Sequence, residues 1–375
     1  MSPKPQWYKS NMQKKKVCLV IPSLQAGGME RVMSELAGYF CKINDLEVHI
    51  ILYGRSLEIF YPIPENLKLH KPVSVITDNG SAFYIFSRLL FLRRKVRQIR
   101  PDSVLSFGEY WNSFVILALM GLGCDLFISD RCTPQRKYGL FHSLLRRFLY
   151  PGTKGIVAQT TKAKDIYFEK FRHRNIEVIG NPIREILTQS HTERQNQVLM
   201  IGRFIKSKNH DKLIEMFINI GLPGWKLVLV GYDHLKQNNY ERLNDIILKN
   251  NAEDRIIIAG KQADVDSYYT DSKIFAFTSG SEGFPNVIGE AMSAGLPVIA
   301  FDCVAGPSDM IIDNHNGFLI PLYDYSQFQK KLEMLMRHEE LRNRFGENAK
   351  KDIIRFSVSS IGEKYHNFIF AKVNE

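Results

Sequence analysis

Ser279-Gly280-Ser281-Glu282-Gly283-Phe284-Pro285-Asn286-Val287-Ile288-Gly289-Glu290-Ala291-Met292 is the stretch whose reading decides the fold. A short apolar run, Ile274-Phe275-Ala276-Phe277, precedes it and predicts a buried strand. Val287, Ile288, Ala291 and Ala294 follow at helical spacing. The loop between them therefore lies at the carboxyl end of a strand and opens onto a helix N-terminus. Open α/β sheets bind ligands at that place. Gly283 and Pro285 permit a tight turn, and the free N–H groups of the first helical turn can hold phosphate. Glu282 falls on the loop and Glu290 about a turn into the helix. Each carboxylate accepts two hydrogen bonds and so can hold a vicinal diol. The plainer reading is a helix cap flanked by two solvated acids.

The run resembles the E-x7-E signature of retaining glycosyltransferase family 4, together with Glu282-Gly283-Phe284-Pro285-Asn286 and Gly295-Leu296-Pro297-Val298-Ile299-Ala300. That resemblance implies the GT-B fold, two Rossmann-like doubly wound α/β domains facing a central cleft. It also implies that Glu282 faces the transferred sugar and that Glu290 grips the ribose of the nucleotide.

A second motif is Ile201-Gly202-Arg203-Phe204-Ile205-Lys206-Ser207-Lys208-Asn209-His210, which follows a predicted strand and precedes a helix from Lys212. It resembles the family's G-R-x4-K element, whose Arg and Lys hold the nucleotide diphosphate. The physical need is plain. Breaking a sugar–phosphate bond leaves negative charge on the departing diphosphate, and without a metal two fixed cations must stabilise it. Arg203 can fork onto phosphate oxygens while Lys208 acts as a point charge. A basic loop standing alone would simply be solvated. Asp264-Val265-Asp266 is a D-x-D, which binds manganese in a different glycosyltransferase fold. Here it reads as a cap for the helix through Tyr268 and Tyr269, and no metal or other cofactor is expected.

The 375 residues predict two domains, and a hydrophobic content of 45% supplies two cores and excludes disorder. Five cysteines without CxxC spacing suit a reducing compartment and offer no zinc site. No signal peptide is evident, and the longest apolar run, Phe114 to Cys124, is too short to span a bilayer. The net charge of +11 is uneven. Residues 1–16, 81–100 and 131–154 hold 17 of the 50 Lys and Arg and no Asp or Glu. Two of these segments mix basic with large apolar residues, Phe83 to Lys95 and Tyr138 to Tyr150. That composition suits an anionic membrane surface. The alternative is an ordinary amphipathic helix with a solvated basic face. No nucleic-acid recognition module is visible.

In chain order, residues 1–14 read as a loose leader. Lys15 to Ile21 reads as a buried strand, ending in Gly27-Gly28 and a helix through Val32, Met33, Leu36, Ala37 and Phe40. Strand, glycine loop and helix can cradle phosphate, or simply turn the chain. The family resemblance favours the first for Gly27 and Gly28. Strands at 47–52, 103–107, 126–129, 155–159 and 176–179 alternate with helices, a doubly wound pattern. Residues 184–196 read as a linker, and a second α/β domain follows, with strands near 198–201, 226–230, 255–259, 274–278 and 297–301. The expected division is a first, acceptor-binding domain at 1–190 and a nucleotide-sugar domain at 197–356. A helix at 357–375 crosses back to the first.

The resemblance places the donor site on Gly27, Gly28, Gly202, Gly283, Phe284, Pro285, Asn286 and Glu290, and the catalytic groups at Glu282, Arg203 and Lys208. Glu109, Asp130 and Arg131 lie on the acceptor side. Some family members carry a His after the strand matching 103–107, whereas this chain reads Phe107-Gly108-Glu109-Tyr110-Trp111. Where many relatives have Gly-x-Gly, it has Gly231-Tyr232-Asp233-His234. The expected activity is retaining transfer of a hexose or N-acetylhexosamine from a UDP-linked donor. The acceptor would be a lipid-linked saccharide in bacterial polysaccharide synthesis, on the cytoplasmic, inner face of the membrane. A GT-B nucleotide-sugar epimerase or hydrolase, or a non-catalytic nucleotide-sugar-binding subunit, are the alternatives.

Overall fold

Thirteen strands form among the described residues, and all that have assigned registers pair in parallel. The computed structural model describes residues 14–56, 58–72, 82–187, 193–233 and 237–371. The leader, His234 and the centre of the linker, 188–192, lie outside them. In the N-terminal half the strands are β1 (Lys15–Ile21), β2 (Leu46–Leu52), β3 (Lys68–His70), β4 (Ser103–Phe107), β5 (Asp125–Ser129), β6 (Gly155–Ala158) and β7 (Ile176–Val178). The C-terminal half carries β8 (Gln197–Ile201), β9 (Lys226–Val230), β10 (Ile256–Gly260), β11 (Ile274–Phe277), β12 (Val298–Asp302) and β13 (Gly317–Pro321). Their orders are β3-β2-β1-β4-β5-β6-β7 and β10-β9-β8-β11-β12-β13. The order in which the chain adds strands reverses beside the first strand of each sheet, between β1 and β4 and between β8 and β11. Doubly wound sheets open a ligand crevice at such a switch point.

Alternation along the strands builds the core. In the second sheet Val198, Met200, Leu227, Leu229, Ile274 and Ala276 belong to one buried cluster. Their neighbours Leu199, Val228, Val230, Phe275 and Phe277 belong to another. Successive side chains on a strand point to opposite faces, so the sheet is buried on both sides, as parallel sheets are. Continuous apolar runs such as Val17 to Ile21, fully buried, follow from the same requirement.

The chain falls into two compact units. One comprises Met1–Ser129, Leu144–Ile156 and Tyr365–Glu375, and the other Asp130–Ser143 and Val157–Lys364. In the first, the end of the last helix (Val358–Phe370) packs its rings on the sheet. Tyr365 lies 6.2 Å from Phe107 and Phe368 5.1 Å from Phe127, centroid to centroid. In the second, Thr160 caps the helix Thr161–Phe171 by accepting from the Ala163 N–H at 3.1 Å. The Asp309 carboxylate accepts from the Thr161 N–H at 3.1 Å.

Candidate functional site

The loops after β8 and β11 meet because those strands are adjacent, with Val198 opposite Ile274 and Leu199 opposite Phe275. Three contacts tie the loops together. Asn209 donates to the Thr278 carbonyl at 2.8 Å, and the Thr278 hydroxyl to the Lys208 carbonyl at 2.8 Å. The Gly280 N–H donates to the Ser207 carbonyl at 2.8 Å. Asn209 takes the left-handed conformation at φ 53, which Asn tolerates, and that turns the chain from the short helix Lys206–Lys208 into the helix His210–Ile220.

The stitching brings Lys208 onto Glu282, 74 residues later in the chain, as an ion pair in which both side chains are largely buried. The ammonium also lies 5.2 Å from the centroid of Phe277. Arg203 differs: it is exposed, and it has no side-chain hydrogen bond or ion pair among the described residues. One cation is thus held and the other is free to reach a ligand. Gly202 has Lys208 Cε 3.8 Å from where a Cβ would stand. A Cβ on Gly231 would overlap the Gly202 carbonyl oxygen, so the turn after β9 presses directly on the Gly202-Arg203 loop. Asp233 in that turn caps the helix Asn239–Lys249, accepting from the Asn239 N–H at 2.8 Å.

Gly283 is also a close approach. A Cβ there would lie 3.0 Å from the Arg131 carbonyl oxygen, which places Arg131 against the Glu282-Gly283 turn. The Arg131 guanidinium donates to Asn181 at 2.7 Å, and Asn181 donates to Asn286 at 2.8 Å. Asp130 is buried beside it in the chain. Phe284 packs 5.5 Å from Phe356, and Pro285 stands where a Cβ of Gly306 would be. The Cys303 thiol is pushed up to about 12, by burial and then by the Glu282 charge. It remains a neutral thiol at neutral pH and is no nucleophile.

Glu290 sits on the helix Asn286–Ser293 and is 3% exposed. The Tyr269 hydroxyl donates to its Oε2 at 2.9 Å, and Arg184 Nε lies 3.5 Å from Oε1. Arg184 also pairs through both terminal nitrogens with Asp266, one bond being 2.7 Å. The D-x-D is thereby resolved. Asp264 accepts from the Asp266 N–H at 2.9 Å at the start of the helix Asp266–Asp271, while the Asp266 carboxylate serves Arg184 and caps nothing. Arg184, and the contacts that Tyr269 and Asp266 make, are what sequence reasoning missed. Separations of 106 and 82 residues leave no local spacing to read.

In the first unit, the loops after β1 and β4 meet in the same way. Gly27 precedes the helix Gly28–Phe40 with extended backbone at φ −174, and Tyr61 donates to its carbonyl at 3.0 Å. The Glu30 carboxylate folds back into the space a Gly27 Cβ would need, and burial raises its pKa. Gly108, at φ +108, would set a Cβ 3.3 Å from the Met29 sulfur, so Met29 lies against the turn that carries the buried Glu109. Gly27, Gly28 and Glu109 thus share one switch point, while Asp130 and Arg131 belong to the other unit.

Comparison with known proteins bears on these two sites. Residues 26–185 match the model "Glycosyltransferase Family 4", and residues 183–352 match "Glycosyl transferases group 1". The chain is 27% identical over 355 residues to the amylovoran biosynthesis glycosyltransferase AmsD of Erwinia amylovora, covering 92% of this chain and 96% of that one. It is also 27% identical to a Campylobacter jejuni α-1,4-N-acetyl-D-galactosaminyltransferase acting on a diNAcBac-PP-undecaprenol glycan, covering 94% and 98%. The crystal structure of Anabaena HepE with UDP and glucose superposes with a TM-score of 0.78 at 16% identity, over 96% of this chain and 100% of that one. With two parallel doubly wound sheets and the two family models matched in succession over residues 26–352, this chain belongs to glycosyltransferase family 4 and has the GT-B fold.

Proposed function

We propose that the protein is a metal-independent, retaining hexosyl- or N-acetylhexosaminyltransferase. It would use a UDP-linked donor and a polyprenyl-diphosphate-linked saccharide acceptor in the assembly of a bacterial surface polysaccharide. The carrying observation is the pairing of Lys208 with Glu282 across the loops of two adjacent parallel strands, with Arg203 exposed on the same loop. The residue range 197–356 would bind the nucleotide sugar and 1–190 the acceptor, with 357–375 returning to the latter. The relatives' names support the class of acceptor: one builds amylovoran and another extends an undecaprenyl-linked glycan.

The acceptor hydroxyl attacks the anomeric carbon as the bond to the diphosphate oxygen breaks, on the same face of the sugar. The departing phosphate oxygen takes the hydroxyl's proton. Charge growing on that phosphate is met by Arg203 and Lys208 and by the N–H groups of Gly283 to Asn286 at the helix N-terminus. Glu282 orients the sugar hydroxyls, and Glu290 the ribose. Gly27 and Gly28 close on the phosphates. Glu109, Asp130 and Arg131 serve the acceptor. A thermal-shift panel of UDP, GDP and ADP sugars tests the reading. Stabilisation by a UDP-sugar that is lost in Lys208→Ala is expected, and stabilisation that survives in Lys208→Ala sinks the diphosphate assignment.

Docking to the inner face of the cytoplasmic membrane belongs to the same reading. No helix among the described residues is long and apolar enough to cross a membrane. The helix Leu140–Leu149 exposes Leu140, Phe141, Leu144 and Phe148 along one face, and the helix Ala82–Ile99 exposes Phe83, Ile85 and Phe86 at its start. One part of the sequence reading is corrected. Arg146 is buried, 5.0 Å over the Tyr150 ring, and so cannot meet lipid; Arg147 is exposed. Phe141→Ser with Phe148→Ser and Arg147→Glu should release the protein from vesicles of phosphatidylglycerol. Unchanged sedimentation with those vesicles rules the surface out.

A further inference from the structure

Glu290 is placed by resemblance at the nucleotide ribose, and a carboxylate there must be correctly turned to take a diol. The structure sets two groups beside it. Tyr269, itself fully buried, donates to Oε2, and Arg184 brings its Nε to 3.5 Å from Oε1.

Arg184 is in turn fixed. Its two terminal nitrogens both bond Asp266, which leaves its Nε as the nitrogen paired with Glu290. Asp266 is held at a helix start by its own N–H donating to Asp264. Burial works against the Arg184 charge, but the hydrogen bonds to Asp266 and the field of Glu290 outweigh it and raise its pKa. The order is acid, base, acid: Asp266, Arg184, Glu290.

We infer that Arg184, locked by Asp266, is a positioning residue that orients the Glu290 carboxylate for the ribose diol of the donor nucleotide, and thereby sets selectivity for ribonucleotides over deoxyribonucleotides. This rests on the reading of Glu290 as the ribose-binding group. Arg184 touches neither sugar nor phosphate in this scheme, so its loss weakens donor binding and leaves the chemical step intact.

The test compares the affinity of UDP with that of 2′,3′-dideoxyuridine diphosphate by calorimetry. Wild type should favour UDP by roughly tenfold or more, the size of one or two hydrogen bonds to a charged group. Arg184→Met should bring the ratio close to one, Asp266→Asn should bring it part of the way, and Arg184→Lys should keep a fraction of it. A purely structural role would weaken both ligands alike and leave the ratio at its wild-type value; that result in Arg184→Met and Asp266→Asn, with melting temperatures like wild type, overturns the inference. A wild-type ratio near one, unaltered in Glu290→Gln, overturns the ribose assignment itself and the inference with it. Steady-state kinetics supply a second readout. Arg184→Met should raise the donor KM about tenfold with kcat within about twofold, and a fall in kcat alone contradicts positioning.

Discussion

The two sheets present the same piece of architecture, a crevice at a topological switch point, and furnish it in opposite ways. After β8 and β11 the side chains are charged, with Lys208 paired to Glu282 and Arg203 exposed, and Arg184, from the segment before β8, pairs with Asp266 and with Glu290 on the helix after β11. After β1 and β4 the close neighbours are Met29, Trp111 and Tyr61, and the acids Glu30 and Glu109 lie partly or wholly buried. Trp111 also stands 6.0 Å from Tyr53, edge to face. Prepaired charges suit a ligand whose own charge is fixed and doubled, such as a diphosphate, since each ion can exchange one partner for another without being left bare. An aromatic and weakly acidic crevice suits neutral hydroxyls.

The sharpest way to break this contrast is to remove a charge. Lys208→Ala should cost about 10² to 10³ in kcat/KM for transfer, the range for losing a donor to developing charge, and Arg203→Ala a comparable amount. Loss of less than tenfold in both would mean that the charged crevice is not where bond breaking occurs. Glycine substitutions come next. Gly231→Ala forces a Cβ into the Gly202 carbonyl, which is backbone and cannot swing aside. It should cost about 2 kcal/mol or more in urea unfolding and weaken UDP binding. Gly108→Ala, with φ +108 and Trp111 at 3.1 Å, should cost about 1–2 kcal/mol while leaving UDP affinity unchanged. Equal effects of the two on UDP would erase the distinction between the crevices.

A subtler contrast lies in pH. His210, 2% exposed beside Phe204, has its pKa lowered to about 3, by burial first and then by Lys208. The folded state therefore binds fewer protons than the unfolded one below pH 6.5, and stability is lost as pH falls from there toward 3, by at most about 1.4 kcal/mol per pH unit. Glu30 runs the other way. Its raised pKa means the folded state holds the proton longer, so its contribution declines as pH rises above the ordinary carboxylate range. His210→Gln should flatten the acid limb of a melting-temperature profile between pH 6.5 and 5, and Glu30→Gln should add a few tenths of a kcal/mol near pH 7. An unaltered acid limb in His210→Gln would show that other groups govern it.

What the sequence disclosed follows from how local each feature is. β11 is where Ile274 to Phe277 places it, because a four-residue apolar run between turn residues leaves few choices. The strands β3 and β13 escaped notice: Lys68–His70 is short and carries polar residues, and Gly317–Pro321 begins and ends with residues that usually break strands. Composition marked the helix Ala82–Ile99 as basic and apolar, yet it gave no means of knowing which arginine turns inward. Arg88 is buried, 4.9 Å over the Tyr84 ring, an arrangement that depends on packing and not on spacing. The Arg184–Glu290 contact was hidden by distance along the chain, and so was the true partner of Asp266.

The crowding at Gly231 also constrains how this chain can change over generations. A side chain at that position has no room until the Gly202 turn moves, and that turn cannot move without carrying Arg203 with it. A lineage drifting by single substitutions meets a closed door there, whereas Tyr323, whose hydroxyl abuts Gly280 from half-open surroundings, can vary one step at a time. Substitutions in descendants of this protein should therefore accumulate around Tyr323 and the Gly280-Ser281 edge, while the Gly202–Gly231 contact stays as it is.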